Sequence, residues 1–120
     1  MSGFERGVLK RLDELEMEYE YQPKKHFSYT LHKKYRPDFL IGDTFVETKG
    51  WFRPEDRTKM RRVQQCNPDE DILLVFQKDQ RIGKSPRSLY YTQWAEKHGF
   101  RWRVGYDWIQ EEEFQGTVSR

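Results

Sequence analysis

Two carboxylates and a lysine in the stretch RPDFLIGDTFVETKG (36–50) fall where a β-hairpin would gather them on one face. Phe39-Leu40-Ile41 and Thr44-Phe45-Val46 are β-favouring runs around Gly42-Asp43, a Gly-first pair suited to a two-residue turn. Such a turn sets Ile41 opposite Thr44, Leu40 opposite Phe45, Phe39 opposite Val46 and Asp38 opposite Glu47. Side chains alternate along a strand and directly opposed residues share a face, so Asp38, Glu47 and Lys49 come together. Opposed carboxylates have Cβ atoms about 5 Å apart and repel each other unless a cation lies between them. Mg2+ takes oxygen ligands and is commonly held by one or two carboxylates with waters completing its shell, which suits this place. Mn2+ is expected to substitute. Lys49 then reads as a catalytic cation rather than half of an ion pair. The alternative is a surface hairpin whose charges are simply solvated. Against it, Phe39, Leu40, Ile41, Phe45 and Val46 make the strands apolar enough to lie inside a sheet, where an unpaired acid is costly.

The elements that must position these residues come from a chain of 120 residues, read as a single domain (1–120) with a modest core. Hydrophobic and charged residues each make up 35%, so the surface must be very polar, and the aromatic residues, at 16%, supply bulk to a core short of aliphatics or stack on bases. Cys66 is the only cysteine, which excludes an intrachain disulfide and any cysteine-based zinc site and fits a reducing, cytoplasmic setting. No stretch reads as a membrane span or secretory signal. The net charge of +2 conceals an asymmetry: between Gln22 and Gln64, eleven Lys/Arg face five Asp/Glu, so this segment carries +6 and the rest −4. The basic segment surrounds the hairpin, as expected if the substrate is a polyanion such as nucleic acid. Individually, pairs such as Lys24-Lys25 and Lys33-Lys34 are equally well explained as a solvated face.

Phe4, Val8, Leu12 and Leu15 recur at helical spacing, predicting an amphipathic helix over about 3–17 with Ser2 as its cap. Met17, Tyr19 and Tyr21 alternate with Glu18 and Glu20 as in a strand with one wet face, and 27–31 is a weaker strand candidate. Pro54 and the acids after it open a second helix that must stop before Asn67-Pro68. The run 71–76 reads as a central strand buried on both faces. A polar loop over 78–87, a helix from Ser88 to His98 stopped by Gly99, an edge strand over 100–104 with Arg101 and Arg103 outward, and a short helix over 106–114 complete the chain. This order describes an α/β fold, a mixed central β-sheet flanked by helices.

Glu5 supports two readings. Its helical neighbours Val8, Leu9 and Leu12 place it on the flank that packs toward the sheet, from which it could reach a metal at the hairpin. Alternatively, SGFE (2–5) is a capping box whose carboxylate is spent on a backbone N–H.

The stretches YRPDFLIGDTFVETKGWF (35–52), DR (56–57), QQCNPDEDILLVF (64–76), GKSP (83–86) and AEKHGF (95–100) resemble, in order, the phage Holliday-junction-resolving endonucleases of the PD-(D/E)XK superfamily. The similarity runs from about Ser2 to Ile109. Pro37-Asp38 with Glu47-Thr48-Lys49 matches the superfamily signature, and the later stretches match the phage family in particular. The resemblance implies a restriction-endonuclease-like nuclease fold and an intertwined homodimer with exchanged strands. It implies Asp38 and Glu47 as metal ligands, the Thr48 carbonyl as a further ligand and Lys49 as catalytic lysine. Because SGFE (2–5) matches the family's SGLE, it also assigns Glu5 to the fourth acidic position. The chain differs in starting close to its first helix and in ending with Gln115 to Arg120 in place of a longer basic tail, so a weaker tail contribution to DNA affinity is expected.

The expected function is a Mg2+-dependent, structure-selective DNA endonuclease acting on four-way and other branched DNA, without a small-molecule cofactor or membrane partner, in the host cytoplasm if phage-encoded. Arg57, Lys59, Arg61 and Arg62 on the second helix, with Lys33, Lys34 and Arg36, are the candidate phosphate contacts. Two other readings are a monomeric nicking or repair nuclease of the same superfamily and a non-catalytic DNA-binding module.

Overall fold

A computed structural model of the chain describes residues 2–29 and 33–111. Helix α1 (Gly3–Glu14) is followed by β1 (Glu20–Tyr21), β2 (Phe27–Tyr29), β3 (Lys33–Tyr35), β4 (Phe39–Ile41) and β5 (Thr44–Lys49). Then come α2 (Pro54–Cys66), β6 (Asp71–Phe76), α3 (Tyr91–Lys97), β7 (Arg101–Val104) and α4 (Trp108–Glu111). Five strands form one sheet in the order β1-β4-β5-β6-β7, antiparallel from β1 to β5 and parallel from β5 to β7, while β2 and β3 pair as a separate hairpin. The mixed sheet flanked by helices is the expected architecture.

Alternation along the strands divides the core in two. Phe45, Ile72, Leu74 and Phe76 face one layer with Met60 and Val63 of α2, Tyr91, Trp94 and Ala95 of α3, and Phe27 and Tyr35 of the small hairpin. Val46, Leu73 and Val75 face the opposite layer, with Phe39, Ile41, Phe4, Val8 and Leu12 of α1, and Trp108 and Ile109 of α4. Each fully buried Val, Leu or Phe is worth about 1.5–3 kcal/mol against exposure, so α1 is held mainly by its Phe4, Val8 and Leu12 stripe. β6 is buried from Ile72 to Phe76 because both layers cover it.

Several boundaries differ from the expectations. α1 ends at Glu14 and not at 17, because the chain reverses through Glu16, whose φ of 53° is left-handed. Ser88 does not cap α3: its N–H donates to the Ser85 carbonyl and its carbonyl accepts from Arg81, closing the 81–90 loop on itself. The helix starts at Tyr91, where Gln93 accepts from the Tyr90 N–H and Thr92 is tied by its N–H and hydroxyl to Asp79. The strand expected over 17–21 is confined to Glu20–Tyr21, and the candidate at 27–31 is one arm of the β2–β3 hairpin, with Leu31 outside the described residues. Val104, expected to face inward, is exposed at the end of β7. The last helix occupies 108–111, and its expected continuation to Phe114 lies outside the described residues. No helix among the described residues is long and apolar enough to cross a membrane.

Candidate active site

β4 and β5 pair with Phe39 opposite Val46, Leu40 opposite Phe45 and Ile41 opposite Thr44, the register the Gly42-Asp43 turn requires. The positive φ falls on Gly42 (59°), where only glycine adopts it at little cost. Glu47 is 4% exposed. Its Oε1 accepts a 2.8 Å hydrogen bond from the Tyr35 hydroxyl, and its Oε2 lies 3.4 Å from Lys49 Nζ. Asp38, just ahead of β4, accepts from both the N–H (2.9 Å) and the hydroxyl (2.8 Å) of Thr48. Lys49 Nζ is also 3.5 Å from Oδ1 of Asp56, itself buried and held through Oδ2 by the Arg53 N–H and Nε. Asp38, Glu47 and Lys49 thus meet at one end of the sheet, with two hydrogen-bonded neighbours fixing the acids and a second acid fixing the lysine.

Burial, then the negative charge of Asp38, push the Glu47 carboxyl up to about 7, and Lys49, the Tyr35 hydrogen bond and Lys59 only partly offset them. The two acids therefore repel each other, as the hairpin register requires. Burial also pulls the Lys49 ammonium down, but Glu47 and Asp56 outweigh it and its pKa is raised. Burial, followed by the charge of Glu47, holds the Tyr35 phenol well above its usual range, so it remains a donor. A prediction follows for the metal-free protein. Between the ordinary carboxylate value of 4.5 and about 7, the folded state retains a proton on Glu47 that the unfolded state releases, so stability falls as pH rises through that window. In a chelator, the wild type should lose up to about 3 kcal/mol relative to Glu47→Gln from pH 4.5 to 7.5. Parallel pH profiles in denaturant unfolding would contradict this.

Glu5 approaches from the other layer. Ser2 Oγ accepts from the Glu5 N–H at 3.0 Å, which is the helix cap, but the Glu5 carboxylate accepts from the Tyr21 hydroxyl. The carboxylate is therefore not spent on the capping box. Burial and the Glu5 carboxylate raise the Tyr21 phenol to about 12, and the charge of Asp38 adds to the rise. Among the described residues no three His, Cys, Asp or Glu side chains group to hold a metal, which leaves the Asp38–Glu47 pair as the candidate carboxylate set.

The basic candidates divide by partner. Lys33, Lys59 and Arg62 line a cavity of about 360 Å³ together with Arg53, Glu55, Asp56 and Thr58, and Lys59 Nζ lies 5.3 Å from the centre of the Tyr35 ring. Arg57 donates to the Phe52 carbonyl at 2.8 Å, and Arg61 is turned to His98 Nδ1 at 2.8 Å. Arg36 contacts His26 at the surface, and Lys34 is exposed on β3. The structure thus places Lys59 and Arg62 on one helix face and Arg61 on another. If these cations hold phosphates, as the sequence leads one to expect, neutralising Lys59 and Arg62 together should weaken nucleic-acid binding and lower the slope of log affinity against log salt by about two. A salt titration with an unchanged slope would place the phosphates elsewhere.

The phage endonuclease I family model matches residues 1–119. The chain belongs to the phage endonuclease I family. It is 34% identical over 117 residues to "Endonuclease I" of Escherichia phage T7, a match covering 92% of this chain and 78% of that protein. It is 36% identical over 102 residues to "Endodeoxyribonuclease 1" of Enterobacteria phage T3, covering 82% of this chain and 66% of that protein.

In this endonuclease I family member, sequence reasoning missed the residues that hold the site in place. Tyr21 read as a strand aromatic and Tyr35 lay outside every expected element, and nothing in their spacing announced a carboxylate partner. Asp56 read as a first-turn acid of α2, which it is; its second role, pairing with Lys49, depends on the angle at which α2 leaves the sheet. The available signal was Arg53 three residues before Asp56, a pair that ties the helix start down through both carboxylate oxygens, one of which is shared with Lys49.

Proposed function

We propose that the protein is a Mg2+-dependent, structure-selective deoxyribonuclease with a PD-(D/E)XK-type site, hydrolysing phosphodiester bonds in four-way and other branched DNA in the cytoplasm of the host cell. The observation that carries this reading is the meeting of Asp38, Glu47 and Lys49 on one sheet end in an endonuclease I family chain. The donor chemistry fits the metal: the acids are oxygen donors, they repel each other, and Mg2+ needs only one or two carboxylates. When bound, Mg2+ supplies polarisation of the scissile phosphate and eases loss of a proton from water.

The chain's own residues do the rest. Asp38 and Glu47 would hold the cation together with the Thr48 carbonyl. Thr48 fixes the Asp38 carboxylate through two hydrogen bonds, while Tyr35 fixes Glu47 and leaves Oε2 turned toward Lys49. The Lys49 ammonium, held by Glu47 and Asp56, orients the attacking water or meets the charge building on the phosphate. Glu5 is the fourth acid, carried by α1 and positioned by Tyr21. Lys33, Lys59 and Arg62 lead the backbone to this end of the sheet, with Lys34 and Arg36 as the outer basic surface, while Arg57 and Arg61 are engaged by the Phe52 carbonyl and His98.

A labelled four-way junction and a linear duplex of the same sequence, each with Mg2+ or chelator, test this. Paired nicks in the junction alone, only with metal, are expected. Equal cutting of linear DNA would instead indicate a nicking or repair nuclease, and tight binding without cutting a non-catalytic module.

We also propose a homodimer that exchanges α1 and β1. The family resemblance implies the exchange, and Met17, Tyr19 and Tyr21 pack with α1 on Phe39 in one chain. Exchange would repeat those contacts between identical chains, at little cost in new sequence. Light scattering at micromolar concentration should give twice the chain's 14.8 kDa; a monomer mass would overturn the proposal.

A further inference from the structure

Trp51 is 73% exposed, the most exposed large apolar side chain among the described residues, yet its backbone is held on both sides. On one side, the Lys49 carbonyl at the end of β5 accepts from the Gln77 N–H at 2.9 Å. On the other, Phe52 is 1% exposed, packs its ring against Phe76, Tyr91 and Trp94, and donates its N–H to the Tyr91 hydroxyl. The chain has buried Phe52 and turned the larger neighbouring indole into solvent. Burying Trp51 would gain more than burying almost any other residue, so its outward position leaves a large apolar face available to a ligand. Its surroundings indicate which. The Arg53 guanidinium lies 5.9 Å from the indole centre, and Arg53 also lines the cavity that contains Lys33, Lys59 and Arg62. Asp56 at that cavity contacts Lys49. An aromatic face beside phosphate-binding cations is the arrangement that holds a nucleotide with its base unstacked.

We infer that Trp51 stacks on an exposed base at the branch point of the DNA, next to the phosphate presented to Lys49, and so sets the preference for branched over continuous duplex. This rests on the nuclease reading above and deepens it. Within a continuous duplex both faces of each base are covered by neighbours, and Trp51 gains nothing there. In a junction whose arms are extended and unstacked, each base pair at the branch point has one face uncovered. Phosphate contacts through Arg53, Lys59 and Arg62 are made to either DNA, so they add affinity without choosing between them.

The test compares wild type with Trp51→Ala, Trp51→Phe and Trp51→Leu on a four-way junction and on linear duplex, in a chelator, which prevents metal-dependent cutting and keeps the junction arms unstacked. A junction with 2-aminopurine at the branch point supplies a second readout. Trp51→Ala and Trp51→Leu should lose on the order of 10-fold in junction affinity and little in duplex affinity, while Trp51→Phe keeps most of the preference. Wild type should quench the 2-aminopurine and Trp51→Ala should not. An unchanged junction-to-duplex ratio in Trp51→Ala, an equal loss on both DNAs, or a shift from dimer to monomer mass would overturn the inference while leaving the nuclease reading in place. A wild type that neither prefers nor cuts junctions would remove both.

Discussion

Glu47→Ala is expected to lower junction cleavage on the order of 1000-fold or more, while junction binding survives or tightens. The cleavage loss follows from removing one of the two carboxylates that meet at the end of β5. The binding follows from charge: the lost acid no longer repels phosphates brought to the basic cavity. Ala also leaves the buried Tyr35 hydroxyl without its acceptor, which costs about 1–3 kcal/mol of stability. Glu47→Gln keeps that acceptor and should be equally inactive, separating chemistry from folding. Initial rates on a labelled junction, with binding measured in parallel by gel shift, check this. Wild-type turnover by either variant in nuclease-free preparations would place the site elsewhere.

Lys49→Ala should also abolish cleavage, by a similar factor, but leave cation binding nearly intact, because an ammonium is not a ligand. Its loss leaves Glu47 and Asp56 without their shared cation. Asp56 keeps Arg53, so the start of α2 is retained. Calorimetric titration with Mn2+ should give affinities within a few-fold of wild type, alongside a cleavage rate near background. A variant that loses the cation would make Lys49 a structural support for Glu47. One that cuts normally would remove its part in the chemistry.

The hairpin geometry at this end of the sheet was legible because a two-residue turn fixes register. Once Gly42-Asp43 is read as the turn, the pairing of Phe39 with Val46 follows, and the acids fall on one face without any knowledge of the remaining fold. The buried strand at Ile72 to Phe76 was legible for a similar reason, since a continuous apolar run has no wet face to offer. What could not be read were contacts set by tertiary angles. Tyr35 reaches Glu47 from a hairpin whose second arm, Lys33–Tyr35, has no apolar alternation to mark it. Glu5 lies in the layer opposite Glu47, and only the position of β1 at the sheet edge brings Tyr21 to its carboxylate. Lys59, Arg61 and Arg62 look equivalent in sequence, yet helical rotation gives the first and last to the cavity and turns Arg61 to His98.

The central claim is that Asp38 and Glu47 hold a divalent cation beside Lys49. Anomalous diffraction from crystals soaked in Mn2+ tests it most directly. A peak within coordination distance of both carboxylates, present in wild type and Lys49→Ala and absent in Glu47→Ala, is the predicted result. A Mn2+ peak bound away from these two side chains, or one that persists unchanged in Glu47→Ala, would contradict it.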